Sequence, residues 1–325
     1  MTDTTDWEIP PRAQPKPEDV SFDLDRALSA VLSVRAEIPE DAFTASILGT
    51  ERAGHGVLIR ADGLVLTIGY LVSEAETIWL TANDGSVVPG HVLGYDQTTG
   101  FGLLQALGRF RLPALELGSA AASRVGDRVV VAGQGGRAKA LLARVASKRE
   151  FAGYWEYVLD EAIFTAPAHP NWGGAACIDR NGRLLGIGSL LVQAAGGDGS
   201  SADGNLIVPI DLLPPILDDL LKLGRVNQPP RPWLGMYTTE FEDNLVVAGL
   251  ARGGPAHRAG IQVGDIVLNV AGAAAADLAD LFRKVWALGA AGVEVPLTIV
   301  REGSPVNVRV RSADRNDFLK RPSLH

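Results

Sequence analysis

One cysteine, Cys177, stands in the whole chain, so no intrachain disulfide can close and no thiolate cluster can hold a metal. No stretch approaches the roughly 20 consecutive apolar residues that a bilayer-spanning helix needs. Basic residues are in the minority, 30 against 38 acidic ones, leaving a net charge of −8. A surface of that sign repels phosphate backbones and anionic lipid, so neither nucleic acid nor a membrane is expected as a partner. The first residues, Met1 to Glu8, are acidic and lack an apolar core segment, so they do not read as a secretory signal. With a lone thiol compatible with a reducing compartment, the expectation is a cytoplasmic protein.

Turn formers are plentiful instead, with 37 glycines and 19 prolines, which favours a mostly β chain over a helical one. At 325 residues there is room for two or three domains with their own cores. Residues 1–20 are polar and proline-rich and are expected to be disordered or extended. Leu24, Ala27, Leu28, Val31 and Leu32 fall at helical spacing, predicting a short amphipathic helix over Leu24–Val34. From Ala42 to Val208 short apolar runs alternate with turn signals. Gly56–Ile59, Leu64–Thr67, Thr77–Leu80 and Arg128–Val131 read as strands, and Asp62-Gly63, Asp84-Gly85 and Asn181-Gly182 as tight turns. That spacing suggests a pair of small β-barrels. Asp211–Leu223 carries an apolar stripe, Leu212, Leu213, Ile216, Leu217, Leu220 and Leu221, with Asp211 placed to cap it and Gly224 to stop it. The proline-rich joint Gln228–Pro232 makes a stiff linker to a second β-rich unit. The expected divisions are an N-terminal segment 1–36, a double-barrel domain 37–224, a linker 225–232, a second domain 233–312 and a tail 313–325.

Three segments share a common reference. Leu66-Thr67-Ile68-Gly69-Tyr70-Leu71-Val72 resembles the Leu-Thr-Asn-Ala-His-Val-Val that carries the base in HtrA/Deg serine proteases. Asp96-Gln97-Thr98-Thr99-Gly100-Phe101-Gly102-Leu103-Leu104 resembles their Asp-x-x-x-Asp-Leu-Ala-Leu-Leu, and Pro170-Asn171-Trp172-Gly173-Gly174-Ala175 resembles the Gly-Asn-Ser-Gly-Gly-Pro around the nucleophile. The second unit resembles the PDZ domain that follows in those proteins, through Trp233-Leu234-Gly235-Met236, the run Gly254 to Val267 with its Ala259-Gly260-Ile261 and Gly264-Asp265, and the helix around Leu278 to Val285. The resemblance covers Val34 to Arg311 in family order and implies a trypsin-like double β-barrel followed by a C-terminal PDZ domain.

It also implies that Tyr70, Gly100 and Trp172 stand where base, orienting carboxylate and nucleophile belong. Acyl transfer needs all three together with donors for the oxyanion. An indole N–H donates and cannot attack, a phenol with pKa near 10 is a poor base at neutral pH, and glycine offers nothing. Pro170 replaces the glycine whose N–H would serve the oxyanion, and proline has none. Losing nucleophile or base alone costs about a million-fold in a serine protease. A catalytically inactive protease homologue is therefore expected. The simplest role for Trp172 is to fill the vacated cleft against Tyr70.

Other residues invite chemistry less. Cys177 lies on an apolar run with no base in view and reads as an inert core thiol. His55, His91 and His169 lack metal-ligand spacing and read as surface or loop residues, although a ligand site in the old cleft around His169 is an alternative. Gly133-Gln134-Gly135-Gly136 lacks the Lys-Ser/Thr of a phosphate loop, so no cofactor is expected. Glu242-Asp243 and Asp218-Asp219 read as solvated charges.

The PDZ resemblance implies that backbone N–H groups of Leu234-Gly235-Met236 hold a peptide's C-terminal carboxylate. The helix bearing Leu278, Leu281, Phe282 and Val285 would wall the groove, or those side chains would simply form the small domain's core. Function is thus expected in binding peptides or protein C-termini, as scaffold, regulator or chaperone-like binder. The resemblance adds a homo-oligomer, a trimer, and an active HtrA-type protease as possible partner. An active endopeptidase, through an unrecognised nucleophile or in a mixed oligomer, is the other alternative.

Overall fold

The computed structural model describes residues 7–193 and 203–320. By its contacts the chain divides into two units. The first holds two closed barrels. Strands β1 (Val31–Glu37), β2 (Glu51–Arg60), β3 (Leu64–Ile68), β4 (Thr77–Thr81), β5 (Val87–Tyr95) and β6 (Phe101–Ala106) close in the order β1-β2-β3-β6-β5-β4. Strands β7 (Arg128–Ala132), β8 (Ala140–Gly153), β9 (Tyr157–Ala166), β10 (Ala176–Ile178), β11 (Leu184–Val192) and β12 (Gly204–Pro209) close as β10-β11-β12-β9-β8-β7. All four predicted strand segments lie in β2, β3, β4 and β7, and each predicted turn joins two antiparallel neighbours. Closure leaves no unpaired sheet edge, and fully buried Leu, Ile, Val and Phe side chains fill the barrel interiors.

Two helix expectations need correction. The segment Leu24–Val34 is one helical turn, α1 (Leu24–Leu28), capped by Asp23, after which Val31 and Leu32 enter β1. Those residues satisfy both periods, and pairing with β2 and β4 decides for the strand. The N-terminal segment therefore ends before Val31 and not at residue 36. A second short helix, α2 (Ala45–Leu48), follows β1. The helix α3 (Pro214–Leu223) starts three residues after Asp211, whose carboxylate instead accepts from the Ala121 amide at 3.0 Å. Proline is tolerated in its first turn, and Gly224 ends it in the left-handed conformation, φ +71°.

The second unit comprises residues 227–319 and the tip of the β8–β9 hairpin, residues 150–160. The tip was expected in the double-barrel domain. It joins the second unit because Val158 is buried in the apolar cluster around Leu234, Met236, Val247, Leu281 and Phe282. Strands β13 (Met236–Phe241), β14 (Asn244–Leu250), β15 (Ile266–Val270), β17 (Glu294–Arg301) and β18 (Ser304–Arg311) form an antiparallel sheet in that order, and the short β16 (Ala273–Ala274) pairs with β15. The helices α4 (Pro255–Arg258) and α5 (Leu278–Trp286) complete it. Exposed Glu242 and Asp243, at φ +46° and +62°, form the two-residue turn between β13 and β14. Asp265, buried, takes two bonds from the Arg301 guanidinium at 2.8 and 2.7 Å, which holds its carboxyl below the ordinary range. Asp277 caps α5 through the Asp280 amide. The expected tail begins in order: Ala313 pairs with Trp233, whose ring packs against Phe318.

Candidate functional site

The structure brings Tyr70, Gly100 and Trp172 together at the seam of the two barrels. Tyr70 lies in the turn after β3, Trp172 in the loop before β10, and Gly100 just before β6. The Gly69 amide donates to the Gly100 carbonyl at 2.7 Å, and the His55 amide donates to the Gly173 carbonyl at 2.8 Å, tying these segments to one another. The Tyr70 hydroxyl donates to the Ser189 carbonyl on β11 at 2.9 Å, while the Trp172 indole offers its N–H to the same hydroxyl. Burial raises the Tyr70 phenol further above its ordinary value, only partly opposed by that indole N–H. A phenol that keeps its proton in this way is no general base at neutral pH. Both side chains are half-buried.

Arg52 fixes the turn from behind. Its buried guanidinium donates to the Tyr70 carbonyl at 2.7 Å and to Thr44 Oγ1 at 2.7 Å, and Thr44 in turn donates to Glu74 at 2.5 Å. Burial lowers the Arg52 pKa, and the Glu74 charge opposes that shift. Gly174 leaves no choice of residue: at φ +77° a Cβ would stand 1.8 Å from the His55 carbonyl oxygen.

The histidines of this region are not where the sequence reading placed them. His55 and His169 are buried, at 7% and 0% exposure, and only His91 is half-exposed. His169 faces the Lys139 carbonyl through Nε2 at 3.0 Å, and its Nδ1 accepts from the Asn171 amide at 3.2 Å. Its own amide donates to Asn205 Oδ1 at 2.6 Å, and Trp7 meets the ring edge-on at 5.2 Å. His55 accepts from the Gln134 amide at Nδ1, 3.2 Å, leaving its buried Nε2 without a partner. Burial, with His169 nearby, pushes His55 down to about 3, and burial lowers His169 as well. His55 Nδ1 is thus engaged by a backbone N–H, and both His169 ring nitrogens face backbone groups, Nδ1 also lying 2.9 Å from the Asn171 carbonyl. Among the described residues no three His, Cys, Asp or Glu side chains converge as a metal site. Cys177 is fully buried on β10, with its thiol pushed up by burial.

The second unit holds a different site. Leu234, Gly235 and Met236 turn their backbone N–H groups to one acceptor, with Gly235 at φ +67° and no room for a Cβ between Ala251 and Trp233. A carboxylate already sits there. Glu156 accepts from Leu234 N at 3.1 Å through both oxygens, and through Oε1 from Gly235 N at 2.7 Å and Met236 N at 3.2 Å. Two residues earlier, the Tyr154 carbonyl accepts from the Thr238 amide on the outer edge of β13 at 3.2 Å, and its ring meets Tyr237 edge-on at 6.1 Å. Leu278, Leu281, Phe282 and Val285 are at most 6% exposed in the apolar cluster that also buries Val158. They line one face of α5, covered, so the core reading applies to each of them here.

Sequence reasoning missed Glu156. Its signal was the only charge in Phe151-Ala152-Gly153-Tyr154-Trp155-Glu156-Tyr157, an aromatic-rich turn between two strand patterns.

Comparison with known proteins follows this division. The trypsin-like peptidase domain family matches residues 54–187, and the PDZ domain family matches residues 232–311. A probable periplasmic serine endoprotease, DegP-like, of Pseudomonas putida (strain W619) is 30% identical over 275 residues, covering 79% of this chain and 55% of that protein. The periplasmic pH-dependent serine endoprotease DegQ of Escherichia coli (strain K12) is 26% identical over 318 residues, 88% of this chain and 68% of that one. The chain spans about half the length of most of the curated relatives it matches. Among solved structures, the HtrA-type protease AlgW with a decapeptide superposes with TM-score 0.53 at 22% identity, over 92% of this chain and 98% of that one. The same protease with a tripeptide gives 0.51 at 23% identity, over 92% and 97%. These likenesses establish the fold, a trypsin-like domain followed by a PDZ domain. They overturn the cytoplasmic expectation, since the relatives are named periplasmic. A single thiol and an acidic first stretch do not discriminate between compartments, because a lone cysteine needs no reducing environment.

Proposed function

We propose that this chain, a trypsin-like domain joined to a PDZ domain in the HtrA/DegP-type order, binds peptide or protein C-termini and does not hydrolyse them. The observation that carries the reading is the Tyr70–Trp172 pair in the seam between the barrels. A phenol whose proton is committed to a carbonyl and an indole with no lone pair to offer occupy the places of base and nucleophile. Gly100 supplies no orienting carboxylate, and Pro170 supplies no N–H to a developing oxyanion. Both nearby imidazoles, His55 and His169, are buried and make their ring contacts to backbone groups.

The PDZ half supplies the positive side of the reading. Its loop amides converge on one carboxylate, and β13 offers an outer edge to an extended segment. AlgW, whose fold this chain shares, is solved with peptides. As a homo-oligomer the chain would present several such grooves, as a scaffold, a regulator of an active HtrA-type protease or a holder of unfolded chains.

A second reading is favoured by the relatives, which are named serine endoproteases. Here the chain would cut peptides through another nucleophile or within a mixed oligomer. One experiment separates the two. The purified full chain is incubated with casein, with fluorogenic peptides and with a fluorophosphonate probe beside an active relative. No turnover above inhibitor controls and no labelling is the expected result. Turnover that disappears in a single-site variant, or a labelled serine, defeats the non-proteolytic reading.

A further inference from the structure

We propose that the tip of the β8–β9 hairpin is a built-in ligand of the PDZ groove, so that a C-terminal carboxylate binds there only by displacing Glu156. This rests on the peptide-binding reading above and adds its regulation. The tip reproduces what a bound C-terminus would offer. It places a carboxylate on three consecutive amides, a main-chain carbonyl on the edge of β13 and an apolar side chain, Val158, in the cluster beside α5. Loop amides of this kind are orphaned when buried without an acceptor, and a carboxylate satisfies three at once.

The backbone is arranged for this purpose. Glu156 sits at φ +61°, a left-handed conformation that costs a non-glycine residue free energy and persists where the surroundings dictate it. Arg283 on α5 pairs with Glu150 at 2.6 Å and with Asp160 at 2.5 Å, one residue on each arm of the hairpin. The Arg315 guanidinium attracts the same carboxylate and has a buried Nη1 without a hydrogen-bond partner, so a charge in this place is anticipated by the groove and not by the hairpin alone. The occupant is nevertheless replaceable. A buried ionised carboxyl is costly, and burial raises the Glu156 pKa to about 7 despite its three amides and Arg315. A terminal carboxylate brought by another chain meets the same donors, and the tip can leave as a unit because its clamp at Arg283 is solvent-exposed.

The test uses the full chain and a fluorescein-labelled decapeptide ending in Tyr-Trp-Val, which copies Tyr154, Trp155 and Val158, together with its C-terminal amide. Glu156→Gly removes the carboxylate and suits the left-handed backbone. If the groove is self-occupied, the apparent dissociation constant is the intrinsic one divided by the open fraction, and the variant binds the free-acid peptide at least tenfold more tightly than the parent. The amide peptide binds both forms poorly. Arg283→Ala, a milder release, tightens binding about two- to fivefold and stands in should Glu156→Gly misfold. Hydrogen exchange provides an arm that needs no peptide: the Leu234, Gly235 and Met236 amides are protected in the parent and exchange freely in Glu156→Gly. Equal affinity of both forms, or unprotected loop amides in the parent, overturns the built-in ligand. Binding to neither form, with protection lost in the variant, overturns the peptide-binding reading and the competition with it, while the docked hairpin still registers in the exchange.

Discussion

The seam between the barrels and the loop at 234–236 are both filled from within, but by opposite means. At the seam of the barrels the filling is neutral: a phenol, an indole and backbone carbonyls satisfy one another, and no charged group bonds the Tyr70 hydroxyl. In the PDZ groove it is a carboxylate on three amides, held at both arms by one exposed arginine. Neutral hydrogen-bonded pairs lose less by leaving water than a charge does. A buried carboxylate always has a competitor, because water solvates it better than protein does. The first arrangement is permanent and the second conditional.

That contrast can be broken most forcefully at Gly174. An alanine there must fit a Cβ at φ +77° and 1.8 Å from a carbonyl oxygen, so Gly174→Ala should destabilise the double barrel by more than about 3 kcal/mol in urea unfolding, or prevent folding. Retained stability would mean that the seam is looser than its contacts indicate. Next comes Tyr70→Phe, which strands the Ser189 carbonyl and the Trp172 indole at a cost of about 1–3 kcal/mol in the same measurement. Trp172→Ser, by contrast, should leave casein turnover at background if the proposed non-proteolytic reading holds, since Tyr70, Gly100 and Pro170 remain.

The groove should answer to pH where the seam does not. Docked Glu156 titrates at about 7, above its ordinary 4.5, so the docked form holds the extra proton between those values. Docking is then strongest below about pH 4.5, weakens as pH rises through the window, and levels off above 7. Arg315, Tyr154 and Tyr237 are the other charged or titratable groups around it, and burial raises the Tyr237 phenol away from that window. Protection factors of the Leu234–Met236 amides should fall on the order of a hundredfold between pH 5 and pH 8, while those at Gly69 and His55 stay level. The mildest change is Arg283→Ala, whose exposed ion pairs with Glu150 and Asp160 should contribute no more than about 1 kcal/mol each to docking, read from the same amides.

Much of this was legible in the chain. The barrel strands announced themselves by apolar alternation and by Asp-Gly and Asn-Gly turns, because both signals are local. Val31 and Leu32 misled because one amphipathic turn and a strand's start share the same spacing, and only pairing with distant strands decides. Burial of His55 and His169 was invisible for a similar reason: their partners, Gln134, Lys139 and Asn205, lie about 30 to 80 residues away. Tyr70, Gly100 and Trp172 drew notice only because the frame around each resembles the family's. Glu156 could not be assigned at all, since its three donors lie at 234–236, and a lone acid in an aromatic turn has no spacing rule to betray it.

Trp155 closes the account of that turn. Its ring stacks on Tyr157 at 5.5 Å and meets Tyr154 edge-on at 5.0 Å, next to the residue that fills the groove. Indole emission responds to solvent and to neighbouring rings, so exchange of occupants would carry its own optical readout. Stopped-flow fluorescence on unlabelled protein, with Trp155→Phe as the blank, would then time each visitor's arrival.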